Sequence, residues 1–192
     1  NFSSKISLDE KRIKKYSKFF KKFELIENVN SLIANLNNSL EIDFDDTYKV
    51  QNFSYNTSGK IDKSKIKLTK PFKNSIIPDE INDIYLSDLQ IQSFISHNNI
   101  KLNGFGEYSF KNSNFLKINF ENNIVNDLLN LKLNFDYKNK LKLDLINYTK
   151  AQNSIANINL DLEKKKNNTK INRLTFNEGK NIISIDNLNL RD

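Results

Sequence analysis

The chain lacks cysteine altogether, and its 192 residues include one histidine, four glycines and two prolines. The absence of cysteine excludes disulfides, thiolate metal sites and cysteine nucleophiles, but it leaves the redox compartment open. Because glycine is so scarce, asparagine must serve many tight turns, since it tolerates positive φ better than most other residues. No apolar run approaches the ~20 residues needed to span a bilayer, and no signal-peptide core is present.

Strict alternation of apolar and polar residues dominates the chain from about residue 40 onward. The clearest run places apolar side chains at every second position, at Leu129, Leu131, Leu133, Phe135 and Tyr137. A period of two puts all of them on one face of a strand. The hydrophobic content of 38% agrees with strands that are wetted on the other face. We therefore predict a mainly β fold, a long antiparallel meander that forms an elongated twisted sheet or β-groove.

The first 27 residues predict a different element. Ser7 and Glu10 match a capping box, which marks the start of a helix. An amphipathic pattern with spacings of three and four follows, formed by Ile13, Tyr16, Phe20 and Phe23. We accordingly divide the chain into an amphipathic basic helix (residues 1–27) and repeated antiparallel strands (residues 28–192). The strand region is expected to be part of a longer chain.

The end and the role of this helix are left open by its residues. Ser31–Leu36 fits either a longer helix or the first strand, and we favour a helix that ends between Glu24 and Asn28. The residues expected to contact a membrane surface or the sheet are Lys14, Lys15, Lys18, Phe19, Lys21 and Lys22. A solvated lysine face on a helix docked to the sheet is favoured over contact with an anionic membrane. Nucleic-acid binding is the third alternative and is not expected.

Catalytic and metal-binding patterns are weak throughout. His97 stands in an expected turn without a serine and acid constellation around it. Glu41, Asp43 and Asp45 share one parity, with Asp46 adjacent, and alternate with apolar residues, which is typical of the wetted face of a strand. No glycine-turned calcium loop is present. Gly104 and Gly106 lack the third glycine of a phosphate-binding loop. We predict no catalytic residue, no metal site and no cofactor, and interpret the protein as non-enzymatic.

The apolar face itself is the stronger functional indication. It consists almost entirely of leucine, isoleucine and phenylalanine, and the chain has little glycine for the corners of a closed barrel. An open apolar face larger than a few hundred Å² implies an apolar partner. The residues expected to line a lipid groove are Leu102, Tyr108, Phe110, Ile118, Phe120, Leu131, Leu133, Phe135, Leu141, Leu143, Leu145, Ile158, Leu160 and Leu162. Gly104 and Gly106 interrupt this face and predict either a bend or a low floor.

Two segments carry a resemblance to a known family, Leu40–Ile61 and Asn181–Leu190. Their short polar turns, alternating strands and closing Ile-Ser-Ile-Asp-Asn-Leu-Asn-Leu (Ile183–Leu190) resemble the repeats of AsmA-like proteins, the bacterial branch of the bridge-like lipid-transfer proteins. The resemblance implies a non-enzymatic module that carries phospholipid acyl chains along an apolar β-groove. It also implies a periplasmic location between the inner and outer membranes of a Gram-negative bacterium, with a membrane anchor outside this segment.

The residues by themselves leave other functions open. A structural or adhesive β-repeat protein would show the same alternation if its apolar face were a closed core. A nucleic-acid-binding module led by the basic helix is the less favoured alternative. Phospholipid is the expected partner.

Overall fold

A computed structural model describes residues 1–17 and 28–191, apart from the side chains of Lys14, Tyr16, Ser17 and Leu145. The strands are β1 (Phe2–Leu8), β2 (Val29–Phe44), β3 (Val50–Phe72), β4 (Ile81–Ser96), β5 (Asn99–Ser109), β6 (Leu116–Val125), β7 (Leu128–Tyr137), β8 (Leu141–Leu143), β9 (Tyr148–Lys150), β10 (Ala156–Lys165), β11 (Asn168–Glu178) and β12 (Asn181–Arg191). The helical elements are α1 (Glu10–Ser17) and a 3-10 turn at Asp144–Ile146.

Ten of the strands form a single antiparallel sheet that follows chain order from β1 to β12. Among the described strands, only the short β8–β9 pair leaves this order, and it forms a separate two-stranded sheet between β7 and β10. The ten-stranded sheet is not a closed barrel, and β1 and β12 lie at its two edges. The predicted mainly β meander is therefore confirmed.

The register of the ladders aligns apolar side chains in rows that cross the sheet. The central row passes through Ser4, Leu36, Gly59, Ile91, Gly104, Phe120, Leu133, Leu160, Leu174 and Ile185. At about 4.8 Å between strands, ten strands span about 43 Å. The apolar side chains therefore form one continuous face, which we call the apolar face, and the opposite side is the polar face.

The two ends of the sheet differ in the length of the connections that join its strands. One end, the turn end, has tight hairpins such as Asn126–Asp127, where φ values of 48° and 63° match the type I′ turn. The other end, the insert end, carries the long connections 73–80 and 138–155. Asparagine serves several turns with positive φ, as predicted from the scarcity of glycine.

The β8–β9 hairpin packs on the apolar face at the insert end. Leu141 is buried in a cluster with Tyr137, Ala156 and Phe176. Partly buried apolar residues surround this cluster: Phe110, Phe135, Leu143, Tyr148, Ile158 and Ile183. The Lys142 N–H donates to the carbonyl of Ile76 at 2.9 Å, which joins the hairpin to the loop between β3 and β4. Segment 141–145 therefore covers part of the face instead of extending it.

The N-terminal segment differs from the predicted capping box. Residues 2–8 form the edge strand β1, and Ser7 pairs with Ile33 of β2. Helix α1 begins only at Glu10, and its cap is Asp9, whose Oδ1 accepts the Arg12 N–H at 2.9 Å. The capping box at Ser7 is wrong because the ladder to β2 claims that residue. Ile13 is buried where α1 packs against β1 and β2.

The ambiguous Ser31–Leu36 segment belongs to β2, which begins at Val29. Two residues of the amphipathic pattern predicted for the helix, Phe20 and Phe23, lie outside the described residues. The predicted end of the helix between Glu24 and Asn28 likewise falls largely outside them.

Gly104 and Gly106 meet two different neighbours. A Cβ on Gly106 would lie 2.6 Å from the Cα of Leu89, because this glycine faces an irregularity of β4 at Asp88–Leu89. A Cβ on Gly104 would lie 2.6 Å from Cζ of Phe120. The predicted bend therefore fits Gly106, and the low floor at Gly104 is filled by the aromatic ring of the adjacent strand.

We expect Gly106→Ala to lower the free energy of unfolding by about 2 kcal/mol, because backbone atoms of β4 cannot move aside without breaking the ladder. Gly104→Ala should cost less, because the Phe120 ring can rotate away. Urea titrations of the two variants and the parent check this order. Equal losses for both variants would contradict the distinction between a backbone and a side-chain contact.

Candidate functional site

The candidate site is the apolar face between β5 and β12. Most of the predicted lining residues lie side by side there, and each stays partly exposed: Leu102, Ile118, Phe120, Leu131, Leu133, Phe135, Ile158, Leu160 and Leu162. Strand pairing brings them together although they come from four different strands. Leu133, for example, pairs with Phe120 on one side and Leu160 on the other.

Four of the five remaining predicted lining residues belong to the boundary of this face. Tyr108 and Leu141 are buried, and Phe110 and Leu143 pack beside them at the insert end. Leu145 lies in the 3-10 turn after β8, and its side chain is outside the described part of the structure. The other four residues therefore form the end of the open face.

The apolar face also extends beyond the predicted residues. It reaches the β12 edge through Ile171, Leu174, Ile185, Leu188 and Leu190. The last of these is 44% exposed, and Leu40 on β2 is 50% exposed. The same alternation that marked the predicted residues marks these as well, so the sequence contained the signal for this extension.

Aromatic rings close the face at the insert end. The ring of Tyr108 contacts those of Phe110 and Phe135 edge to face, with centroids 5.2 Å and 6.0 Å away. The Tyr108 hydroxyl donates to the carbonyl of Asp136 at 2.6 Å, which satisfies its polar end inside the cluster. Burial, with a contribution from the charge of Asp79, raises the pKa of Tyr137 to about 12. Burial also raises the pKa of Tyr108, so both tyrosines are neutral at physiological pH.

A fully buried lysine ties the β8–β9 hairpin to the sheet. Lys150 Nζ donates to the carbonyl oxygens of Lys138, Asn139 and Ala151, each at 3.0 Å. It also lies 5.7 Å from the centroid of the Tyr137 ring. Desolvation lowers the pKa of Lys150, and the negative charge of Glu178 opposes that shift. Sequence reasoning missed this residue because nothing local separates it from the other lysines.

Glu178 of β11 holds the same hairpin from the other side. Its two carboxylate oxygens accept hydrogen bonds from the hydroxyls of Ser154 and Tyr148. These bonds, Ser154 first, and the charge of Lys150 lower the pKa of Glu178. The β8–β9 hairpin is thus attached to the sheet through both its polar and its apolar residues.

The part of the apolar face that β1–β4 form is more polar than the part on β5–β12. Asn38 is buried and donates through Nδ2 to Ser4 Oγ at 3.0 Å. Its Oδ1 accepts from the Tyr55 hydroxyl at 2.7 Å and from Thr57 Oγ1 at 3.0 Å. Because these groups satisfy each other, the continuous aliphatic surface is concentrated on β5–β12.

Most of the basic residues predicted to contact a membrane or the sheet lie outside the described residues. Lys15 is exposed on α1, and Lys14 lies on α1 with its side chain undescribed. The other predicted contact residues lie outside the described residues, namely Lys18, Phe19, Lys21 and Lys22. Across residues 1–17 and 28–191, neither helical element has the length and apolar content to cross a bilayer.

The candidate chemical residues Glu41, Asp43 and His97 line one depression at the turn end of β2, β3 and β4. His97 is exposed in the β4–β5 turn. Asp45 Oδ1 accepts the N–H groups of Thr47 and Lys49, so it stabilises the β2–β3 turn. The hydrogen bond from the Thr47 hydroxyl, first among several, lowers the pKa of Asp45. In the part of the chain that the structure describes, no group of histidine and acidic residues could hold a metal ion.

No protein-family model matches this chain, and no curated protein or solved structure is detectably similar to it. The resemblance to AsmA-like proteins therefore stays a prediction.

We expect Lys150→Met to lower the free energy of unfolding by about 3 kcal/mol, because the three carbonyls that Lys150 binds lose their donor. Lys142→Met is the matched control, since Lys142 is exposed on the same hairpin. The control should stay within about 0.5 kcal/mol of the parent in urea titrations. Equal stability of the two variants would show that the buried ammonium does not hold the hairpin.

Glu178 predicts a loss of stability in acid. Its folded-state pKa is lowered, so it stabilises the folded protein above the ordinary pKa of a glutamate. This stability disappears as the pH falls through the folded pKa. Glu178→Gln should therefore flatten the decline of melting temperature between neutral pH and about pH 3. Glu121→Gln, on the exposed polar face, is the control and should leave the decline unchanged; an equal effect of both would contradict the assignment.

Proposed function

We propose that the protein is a non-enzymatic lipid-binding module that holds phospholipid acyl chains against its apolar face. The observation that carries this proposal is the continuous aliphatic surface of β5–β12, which stays partly exposed across neighbouring strands. Contiguous apolar patches of more than a few hundred Å² are uncommon on soluble monomers and mark sites for apolar partners.

The energetics of lipid extraction agree with such a surface. An acyl chain of about 16 carbons that leaves a bilayer loses about 0.8 kcal/mol per CH₂, or about 12 kcal/mol in all. Side chains such as Leu131, Leu133 and Leu160 replace part of that apolar environment. They form a continuous surface without an enclosing pocket, so an acyl chain can slide between equivalent positions while the headgroup stays in water.

Transfer and location belong to the same proposal and are supported by the resemblance to AsmA-like proteins. On that basis the module carries phospholipid between the inner and outer membranes of a Gram-negative envelope. It would lie in the periplasm and depend on an anchor outside this segment. A structural or adhesive repeat protein is the alternative, and it would require another protein layer to cover the apolar face.

The experiment is native mass spectrometry of protein that is purified without detergent and then incubated with phospholipid liposomes. We expect the parent to carry phospholipid. Leu133→Asp should reduce loading at least tenfold, because the charge would lie under the acyl chain. Lys132→Asp introduces the same side chain on the polar face of the same strand and should load like the parent.

Circular dichroism separates loss of binding from loss of folding. Leu133→Asp should keep the β spectrum of the parent because its position is partly exposed. Complete unfolding by this change would indicate a packed core and favour the structural alternative. A parent protein that never acquires phospholipid would contradict lipid binding outright.

A further inference from the structure

The carboxamide side chains of the polar face are hydrogen-bonded to one another in one part of the sheet and not in another. On β7, β10 and β11 the amides bond to one another: Asn134 Nδ2 donates to Asn157 Oδ1 at 3.1 Å, and Asn159 Nδ2 donates to Thr175 Oγ1 at 3.2 Å. Asn157 Nδ2 in turn donates to Asp136 at 3.0 Å. This part of the face satisfies its own hydrogen-bonding groups.

On β4, β5 and β6 the same kind of side chain is left without a partner. Gln90, Gln92, Asn103 and Asn119 are all exposed. No hydrogen bond joins their side chains to any residue of the ranges 1–17 and 28–191. Each carboxamide therefore presents two donors and an acceptor outward.

An exposed phenylalanine stands among these amides. Phe105 is 62% exposed on a face that is otherwise mostly polar. It pairs with Gln90 on β4 and with Asn119 on β6, so carboxamides flank its ring on both sides. A second ring, Phe94, lies further along β4, next to a depression of the polar face that Gln92 and Asn103 also line.

The charges around these rings are balanced although the chain carries a net charge of +7. Lys101 and Lys117 lie on the same face as Glu107 and Glu121, on the same two strands. A site for nucleic acid or another polyanion would show an excess of positive charge instead. The local balance favours a neutral ligand.

We propose that this polar surface, formed by Gln90, Gln92, Phe94, Asn103, Phe105 and Asn119, binds a neutral polysaccharide. An aromatic ring offers a flat apolar surface to the C–H face of a sugar. Carboxamides that both donate and accept match pairs of sugar hydroxyls. The surface is open, so it fits an extended chain and not a single enclosed sugar.

This surface is independent of lipid binding because it lies on the other face of the sheet. In the ladders Phe105 shares a face with Asn119 and Asn134, whereas Phe120 and Leu133 share the opposite face. A variant on one face therefore leaves the other intact, and either function can fail without the other.

The experiment is affinity electrophoresis of the whole chain in native gels that contain dextran, a soluble β-1,3-glucan or hydroxyethylcellulose. We expect at least one of these neutral polymers to retard the parent, and the retardation to persist at high salt because no ion pairs are involved. Phe105→Ala should weaken the apparent affinity about tenfold. Phe72→Ala removes another exposed ring outside the site and is the matched control.

Four results would overturn the proposal. These are a parent that none of the three polymers retards, retardation that salt abolishes, equal behaviour of Phe105→Ala and the parent, or an equal loss in Phe72→Ala. Leu133→Asp should keep the retardation of the parent, so the failure of lipid binding is measured separately from this result. Circular dichroism of each variant excludes unfolding as the cause of a loss.

Discussion

The register of the antiparallel ladders is the constraint on which both faces of this protein depend. A slip by one residue would turn every leucine of a strand to the polar side. Irregularities near Asp62 of β3 and Asp88 of β4 show how the register is kept. They are next to each other in the sheet. On one side of them odd-numbered residues such as Ile61 and Leu89 point to the apolar face, and on the other side even-numbered residues such as Ser64 and Leu86 do so. Lys60 forms ion pairs with both aspartates at this site.

The extent of the open apolar face is decided by its cover at the insert end. The β8–β9 hairpin buries the residues around Tyr137 and leaves those nearer the turn end partly exposed. A buried ammonium is costly unless its hydrogen bonds are complete. Lys150 meets that condition with three carbonyl partners, so its hydrogen bonds favour one position of the hairpin over others.

The two faces of the sheet combine different chemistries on the same strands. On β6, for instance, Phe120 belongs to the aliphatic surface and Asn119 to the carboxamide surface. Because adjacent residues point in opposite directions, the two surfaces can change independently in sequence. An open sheet can in this way present an apolar partner and a polar partner with separate sites.

Local sequence was sufficient for the features that depend on neighbouring residues. Alternation identified the mainly β fold and the leucines that share a face, and the scarcity of glycine explains the asparagine turns. Long-range pairing was not predictable in this way. Leu141 and Leu143 alternate like Leu131 and Leu133, yet they leave the sheet because Tyr137 pairs with Ala156 instead. Likewise, β1 depends on a partner strand about thirty residues away, and Lys150 on carbonyls that only the folded hairpin brings together. Periodicity is a property of the chain itself, whereas strand partners and buried polar contacts exist only after distant segments have met.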